Sequence, residues 1–267
     1  MPRFAANLTT LFTEVDFLDR FACAAQAGFD AVEFQFPYAF APYDIARRLR
    51  MNGLTAVLFN LPPGAWETGA RGLACAPDAF DAVMAGVETA VPYIEATGVR
   101  RVHLMAGLGD RRDGAAREAY RRAVTAVAAR LAPEGVDVLI EPINPRDMPG
   151  YFLDDFAFAA DLVRELQAPN LKILFDIYHR QILHGDVTTA LRDLAPLIGH
   201  VQVASVPARQ EPCSGELDDR FLFEELDRLS YAGWVGCEYR PAAGSQGGSQ
   251  AGLGWFAPYA RLRTAAR

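Results

Sequence analysis

The feature that most constrains the fold is a regular alternation of short apolar runs with segments of helical periodicity along the chain. Eight runs rich in β-branched and aromatic residues are predicted strands: residues 3–8, 31–36, 55–60, 101–105, 137–141, 172–176, 200–204 and 235–239. Between them apolar residues recur at helical spacing, as Phe17, Phe21 and Ala24 do before Gly28. Eight strands that alternate with helices form either a closed barrel or a doubly wound sheet.

Chain length and glycine positions favour the barrel. The chain has 267 residues, and eight strand–helix units close into a barrel with ~250 residues as one domain. The first strand is not followed by the glycine fingerprint of a dinucleotide-binding sheet. The sequence therefore predicts an α/β fold, a single TIM (β/α)8 barrel domain over residues 1–267. The low-complexity stretch 241–252 is predicted to be a flexible loop.

Composition predicts a globular protein of the cytoplasm. Apolar residues make up 51% of the chain, and no apolar run reaches the ~18 residues of a membrane helix. The N-terminus lacks the apolar core of a secretory signal, and the scattered cysteines Cys23, Cys75, Cys213 and Cys237 are typical of reduced thiols. A formal net charge of −7 argues against nucleic acid. We therefore expect neither nucleic acid nor membrane as a partner, and self-association into a homo-oligomer stays open.

Four predicted strands carry an oxygen-bearing side chain at or near their ends. These are Glu141, Asp176, Gln202 and Glu238, in the fifth to eighth strands. The carboxyl ends of barrel strands converge on the face that holds the active site. Three buried carboxylates there would repel one another unless a cation lay among them. Because all four side chains offer oxygen, the sequence predicts a site for Mg²⁺ or Mn²⁺ and not for zinc.

A structural ion-pair cluster is the alternative to a metal site. Lys172, His179 and Arg209 are basic residues close enough in sequence to pair with the carboxylates. Clusters of perturbed carboxylates in barrels are more often functional than structural, which favours the metal site.

Several segments together resemble one family. They are residues 4–8, 60–66, 71–74, 140–144, 175–179, 199–204 and 236–239. In order and over nearly the full chain, they resemble the hydroxypyruvate isomerase family, whose members are xylose-isomerase-like barrels. The resemblance implies Glu141, Asp176, Gln202 and Glu238 as metal ligands, with Glu141 and Glu238 as the acid–base pair. It also implies glutamine at the third ligand position, where related ketose epimerases usually have histidine.

The chemistry of such an isomerase fits these residue types. Converting a hydroxy aldehyde into a hydroxy ketone moves a proton between adjacent carbons, through an enediolate that a metal ion can stabilise. The expected substrate is a small sugar acid, either hydroxypyruvate, which gives tartronate semialdehyde, or a 2-oxo-tetronate. A ketose 3-epimerase is the alternative enzyme, and a non-catalytic sugar-binding barrel is the alternative from another class. Abasic-site phosphodiesterases share the barrel but use a histidine-rich site, and this chain has four histidines.

Further side chains are predicted to bind substrate. Arg209 lies in a Pro-x-Arg-x-Glu-Pro context shared with the family and would hold a substrate carboxylate; its alternative is an exposed loop arginine. His179 would contact a substrate oxygen, although a structural histidine fits the sequence equally well. At positions 205 and 206 the family commonly has an acidic residue followed by a polar one, whereas this chain has Ser205 and Val206. The size and identity of the substrate therefore stay open. Four more residues are expected at the same mouth: Asn7, Glu33, Asn60 and Trp66.

Overall fold

Eight parallel strands close into a barrel in the computed structural model, which describes residues 1–264, without the side chains of 244–247 and 261–264. The strands are β1 (Arg3–Asn7), β2 (Ala31–Phe34), β3 (Thr55–Asn60), β4 (Arg101–His103), β5 (Asp137–Ile140), β6 (Leu171–Asp176), β7 (Ile198–Val203) and β8 (Trp234–Cys237). They pair in chain order, and β8 closes the barrel against β1 with Arg3 opposite Trp234. The predicted TIM barrel is confirmed.

Helices lie between successive strands and after the last one. They are α1 (Phe17–Gln26), α2 (Pro42–Asn52), α3 (Phe80–Thr97), α4 (Gly114–Leu131), α5 (Phe156–Leu166), α6 (Ile177–His184), α7 (Val187–Leu194), α8 (Asp219–Arg228), α9 (Gly244–Ala251) and α10 (Ala257–Thr264). In α2, Pro42 occupies the first turn, where its missing N–H costs nothing, and Gly53 ends the helix with a left-handed φ of 63°. Within residues 1–264, no helix is both long and apolar enough to cross a membrane.

Several strands end earlier than their sequence patterns predict. The fifth ends at Ile140 and the eighth at Cys237, so Glu141 and Glu238 directly follow their strands. After Glu141, Pro142 has no N–H with which to continue the ladder. Glu141 and Glu238 therefore stand on the first residue of a loop, anchored by a rigid strand, whereas Asp176 and Gln202 lie within β6 and β7.

The prediction of a flexible loop at 241–252 is wrong. Gly244–Ala251 is helical, with a break at Gly248, where φ is 66°. Ser249 is buried, its hydroxyl accepts a hydrogen bond from the Phe12 N–H, and its own N–H donates to Glu14 Oε1 at 3.1 Å. These long-range bonds hold the segment against the β1–α1 loop, and composition alone cannot indicate them.

The four cysteines are free thiols, as predicted. Cys75 and Cys237 are buried, and burial raises the pKa of Cys75 to about 11. A buried thiol with a raised pKa is a poor nucleophile, so Cys75 has a packing role.

Candidate active site

A cavity of about 400 Å³ opens at the carboxyl ends of the strands. Of the residues that the sequence predicts for the site, all but Asp176 line this cavity: Asn7, Glu33, Asn60, Trp66, Glu141, His179, Gln202, Arg209 and Glu238. Asp176 is fully buried at the end of β6, where the strand register pairs it with Gln202. Barrel closure thus brings side chains from distant parts of the chain to one place.

Three carboxylates lie together at the floor of the cavity: Glu141 and Glu238 line it, and Asp176 is buried beside them. Burial raises the pKa of Glu141 well above its usual value, and repulsion from Glu238 and Asp176 adds to the effect. Burial likewise raises the pKa of Asp176 to about 6 and that of Glu238 to about 7. The protein alone therefore leaves this cluster short of positive charge.

Three oxygens in the cluster are buried and have no hydrogen-bond partner among the described residues. They are Glu141 Oε1, Asp176 Oδ2 and Gln202 Oε1. An amide or ionised carboxylate oxygen can only accept a hydrogen bond, and leaving one buried without a partner is costly. A hard divalent cation would satisfy all three, so these residues fit a metal ion.

Asp176 is fixed by the helix that follows it. Its Oδ1 accepts hydrogen bonds from the N–H groups of Tyr178 at 2.7 Å and His179 at 3.2 Å, which caps α6. An N-cap bond of this kind satisfies the first free amides of a helix. With Oδ1 occupied, Oδ2 is the oxygen available to a cation.

Gln202 is oriented by Glu33. The Gln202 Nε2 group donates to Glu33 Oε1 at 2.7 Å, which leaves the Gln202 amide oxygen free. The same Glu33 oxygen accepts from Asn7 Nδ2 at 2.9 Å, and Glu33 Oε2 lies 2.7 Å from His200 Nε2. Because protein groups occupy both oxygens of the Glu33 carboxylate, Glu33 acts on the site by orienting Gln202.

His179 is the alternative to Gln202 as a ligand of the metal ion. Its nitrogen and the Glu141 and Asp176 oxygens lie within 4.8 Å of one another. The backbone N–H of Asn144 donates to His179 Nδ1 at 3.3 Å, so a neutral ring carries its proton on Nε2. Burial lowers the pKa of His179 well below its usual value, which keeps the ring neutral. Nε2 is then a donor, suited to a substrate oxygen and not to a cation.

Glu141 and Glu238 follow the first and the last of four consecutive strands, β5 to β8. Glu238 Oε1 accepts a hydrogen bond from Gln35 Nε2 at 2.8 Å. Glu141 Oε2 lies 3.5 Å from Nδ1 of His103, whose pKa burial lowers to about 3. Since Asp176 and Gln202 stand between them, the glutamates flank the position a cation would occupy.

Arg209 reaches into the cavity and meets protein carboxylates there. Its Nη1 donates to Asp147 Oδ2 at 2.7 Å, and its Nη2 lies 3.5 Å from Glu238 Oε2 and 3.8 Å from Asp176 Oδ2. The guanidinium carbon also lies 4.9 Å from the ring centre of Tyr178. The guanidinium is thus held in place by groups of the chain itself.

An aromatic wall covers another side of the cavity. The rings of Phe36 and Trp66 lie 5.2 Å apart, and the guanidinium carbon of Arg71 lies 4.0 Å from the Trp66 ring centre. Asn60 lines the cavity beside them, and its backbone carbonyl accepts a hydrogen bond from Tyr38 at 2.7 Å. This wall can exclude water from a bound substrate.

The comparisons place the chain in a family. Residues 21–259 match the model of the xylose isomerase-like TIM barrel. The chain is 50% identical to 2-oxo-tetronate isomerase of Cupriavidus necator, covering 97% of this chain and 99% of that protein. It is 40% identical to hydroxypyruvate isomerase of Escherichia coli, covering 97% and 100%. The chain belongs to the hydroxypyruvate isomerase family. The predicted class, an isomerase that is an intramolecular oxidoreductase, is confirmed by these relatives.

Solved structures agree with the family's fold. The crystal structure of AP endonuclease, family 2, from Brucella melitensis superposes with a TM-score of 0.93 at 46% identity, covering 97% of this chain and 99% of that chain. D-Psicose 3-epimerase from Clostridium cellulolyticum has a TM-score of 0.75 at 18% identity, covering 97% and 99%. At that identity the second likeness shows the barrel alone.

Three residues that support the isomerase site lie outside the set predicted from sequence. Gln35 stands two residues after Glu33, and the alternation of a strand could have indicated that both face the same side. His103 ends β4 and touches Glu141. Asp147 lies in a loop without periodicity, and only the tertiary structure brings it to Arg209.

Proposed function

We propose that this enzyme isomerises a small hydroxy-oxo acid, either hydroxypyruvate to tartronate semialdehyde or a 2-oxo-tetronate. The observation that carries the proposal is a cluster of three unpartnered buried oxygens, on Glu141, Asp176 and Gln202, with the buried Glu238 beside it, at the floor of an arginine-lined cavity. The names of the relatives that match over nearly the full chain support this substrate class.

Glu141, Asp176, Gln202 and Glu238 would hold the divalent ion. Oxygen donors with no histidine or thiolate suit Mg²⁺ or Mn²⁺. When bound, such an ion stabilises negative charge on the two oxygens of the reacting carbons. The assignment of Gln202, and not His179, follows from the amide orientation set by Glu33 and from the proton on His179 Nε2.

The two glutamates would move the proton. One takes a proton from the carbon that carries the hydroxyl group, and an enediolate forms. The other delivers a proton to the former carbonyl carbon, while the hydroxyl proton passes from one oxygen to the other. Buried carboxyls whose pKa is raised towards neutrality can both accept and return protons, and both glutamates have raised pKa values.

The remaining cavity residues would bind and shield the substrate. His179 would donate its Nε2 proton to a substrate oxygen, and Asn60 and Trp66 would line the substrate's flank. Asn7 and Glu33 would act by holding Gln202, because their hydrogen bonds join them to each other and to that amide. Arg209 would keep the carboxylate cluster compact.

Deuterium incorporation is the test of this function. Hydroxypyruvate and a 2-oxo-tetronate are incubated with the enzyme and Mg²⁺ or Mn²⁺ in D₂O and followed by NMR. Solvent deuterium should enter at the carbon next to the carbonyl, together with the aldehyde or ketone product. Absence of both exchange and product with every acid tested would contradict the proposal and favour the non-catalytic sugar-binding barrel.

Ketose 3-epimerase activity is the alternative within enzymes. It needs the same ion and two glutamates, but its family usually has histidine where this chain has Gln202. Exchange at carbon 3 of a ketohexose, in the absence of exchange with the acids, would favour it.

Cleavage of DNA at abasic sites is the second candidate, since the structure from Brucella melitensis carries an endonuclease name. The formal charge of −7 and the acidic cavity floor disfavour a phosphate backbone. We propose a small cytoplasmic substrate, with neither DNA nor a membrane as partner. An abasic duplex incubated with Mg²⁺ or Mn²⁺ should remain intact.

A further inference from the structure

We propose that Arg71 is the residue that binds the carboxylate of the substrate and selects acids over neutral sugars. This inference rests on the proposed function and names the group that recognises its substrate class. The inference rests on the surroundings of the Arg71 guanidinium. It is half-buried in the cavity wall, stacks on Trp66 and has no acidic partner in the described chain.

Arg209 is poorly placed to take a second carboxylate. Its Nη1 is bound to Asp147 at 2.7 Å, and its Nη2 faces Glu238 and Asp176 at 3.5 and 3.8 Å. An incoming anion would have to compete with these groups and would meet their negative charge. The charge of Arg209 is therefore balanced inside the protein.

Arg71 differs in what its guanidinium contacts. Its Nη1 donates to two backbone carbonyls, those of Trp66 at 3.1 Å and Ala70 at 2.8 Å. Across the described residues it forms no ion pair, and neither Nε nor Nη2 donates a hydrogen bond. A guanidinium binds a carboxylate in bidentate fashion through two neighbouring N–H groups, and the Nε–Nη2 edge offers such a pair.

The stacking of Arg71 on Trp66 makes its Nε–Nη2 edge a better binding group for a carboxylate. The guanidinium carbon lies 4.0 Å from the ring centre, and Trp66 itself packs against Phe36. A planar cation fixed by stacking and two backbone bonds loses little freedom when an anion binds. The partly desolvated aromatic wall also strengthens the charge interaction.

Arg240 is the rival, because it too lines the cavity and forms no ion pair in the part of the chain that the structure describes. It is exposed, and only its backbone N–H, which donates to the Arg209 carbonyl, is held. An exposed arginine keeps its hydration and its side-chain entropy until a ligand binds, so it contributes less affinity.

The assignment also fixes the substrate's direction. A carboxylate on Arg71 places that end of the molecule beside the loop after β3. The hydroxyl and carbonyl carbons would then have to reach Glu141 and Glu238, which line the same cavity. A neutral triose lacks the charge for this anchor and should bind weakly.

Binding of a charged and a neutral analogue tests the inference without requiring turnover. Glycerate has the carboxylate of hydroxypyruvate but no carbonyl group to isomerise, and glyceramide replaces that carboxylate with a neutral amide. Dissociation constants are measured by NMR titration with Mg²⁺ for the wild type, Arg71→Gln, Arg240→Gln and Arg47→Gln. Arg47 is an exposed arginine on α2, outside the cavity, so its variant controls for the lost charge.

The wild type and Arg47→Gln should bind glycerate at least tenfold more tightly than glyceramide. Arg71→Gln should lose that preference, and its KM for the acid substrate should rise at least tenfold while kcat changes less. If Arg71→Gln does not fold, as judged by circular dichroism, Arg71→Lys should keep part of the preference because it keeps the charge but not the bidentate edge.

Three results would overturn the assignment: no preference for glycerate in the wild type, an unchanged preference in the Arg71 variants, or loss of the preference in Arg240→Gln alone. Failure of the isomerase proposal would be seen separately, as absent deuterium exchange in a wild type that still prefers glycerate through Arg71.

Discussion

At the scale of single residues, the orientation of one amide decides which ligand set the site can offer. Gln202 can turn either its oxygen or its NH₂ group towards the carboxylates, and a glutamine alone does not favour one. Glu33 accepts from the NH₂ group, so the Gln202 amide oxygen is left without a hydrogen-bond partner and is the atom available to a cation. Groups that orient a ligand in this way commonly affect metal affinity as strongly as some ligands do.

Removing the acceptor at Glu33 should therefore weaken metal binding. Glu33→Ala is expected to reduce Mn²⁺ affinity about 10- to 100-fold, because the Gln202 amide loses the bond that orients it. Glu33→Gln keeps an acceptor oxygen and should lose less. Isothermal titration with Mn²⁺ measures both, and equal affinity in the wild type and the alanine variant would contradict the role of Glu33.

The acid–base assignment has its own test at the residue scale. Glu141→Gln and Glu238→Gln keep a ligand oxygen but cannot accept the proton. Each should lower deuterium exchange by about 10²- to 10⁴-fold, the usual contribution of a general acid or base. The unfolding midpoint of each variant serves as the control, and exchange at the wild-type rate in either one would refute its assignment.

At the scale of elements, short segments gain their structure from partners far away in the chain. The glycine-rich stretch around α9 has little intrinsic tendency to form a helix. It is held because Ser249 bonds to Phe12 and Glu14, 235 or more positions earlier in the sequence. The adjoining Phe256 stacks on Phe29 with ring centres 4.2 Å apart. Tertiary contacts thus decide the structure where local propensity is weak.

Ser249→Ala should measure the contribution of that contact. The substitution leaves the buried Phe12 N–H without its acceptor, and the free energy of unfolding should fall by about 1–3 kcal/mol. Gln250→Ala, at the exposed neighbouring position, should change it by less than ~0.5 kcal/mol. Urea unfolding compares the two, and equal stabilities would show that Ser249 does not hold the segment.

At the scale of the whole molecule, the barrel concentrates three buried carboxylates whose negative charge Arg209 alone does not balance. Burial raises the pKa of Asp176 to about 6 and that of Glu238 to about 7. Carboxyls with raised pKa values bind protons more tightly in the folded state than in the unfolded state. Their stabilising effect is present below about pH 4 and is lost as the pH rises through 6 to 7.

The metal-free protein should therefore lose thermal stability between pH 5 and pH 8, and Mg²⁺ or Mn²⁺ should restore it. A ligand at 100 times its Kd adds about 2.7 kcal/mol to the stability of the folded state. Differential scanning calorimetry with chelator or with metal measures the effect. Asp176→Asn should flatten the metal-free profile, and a wild-type Tm that neither pH nor metal changes would contradict the cation site.

Sequence alone determined the architecture and the chemical types at the site. The periods of two and 3.6 residues are local properties, and their alternation eight times along the chain predicts an α/β fold. The chain length and the missing glycine fingerprint then favour the barrel over a doubly wound sheet. The positions of Glu141, Asp176, Gln202 and Glu238 follow from their places at strand ends, because every parallel strand presents its carboxyl end to the same face.

Only the tertiary structure decided which partner each side chain has. It joins Asp147 to Arg209, across 62 positions, and Glu33 to Gln202, across 169. It leaves Arg71 without an acidic partner in the described chain. These pairings depend on the distances between loops, which are set by closure of the barrel. A periodic sequence pattern contains no information about such distances. Sequence therefore indicates what the site is made of, while the fold decides which charges are balanced and which remain for a ligand.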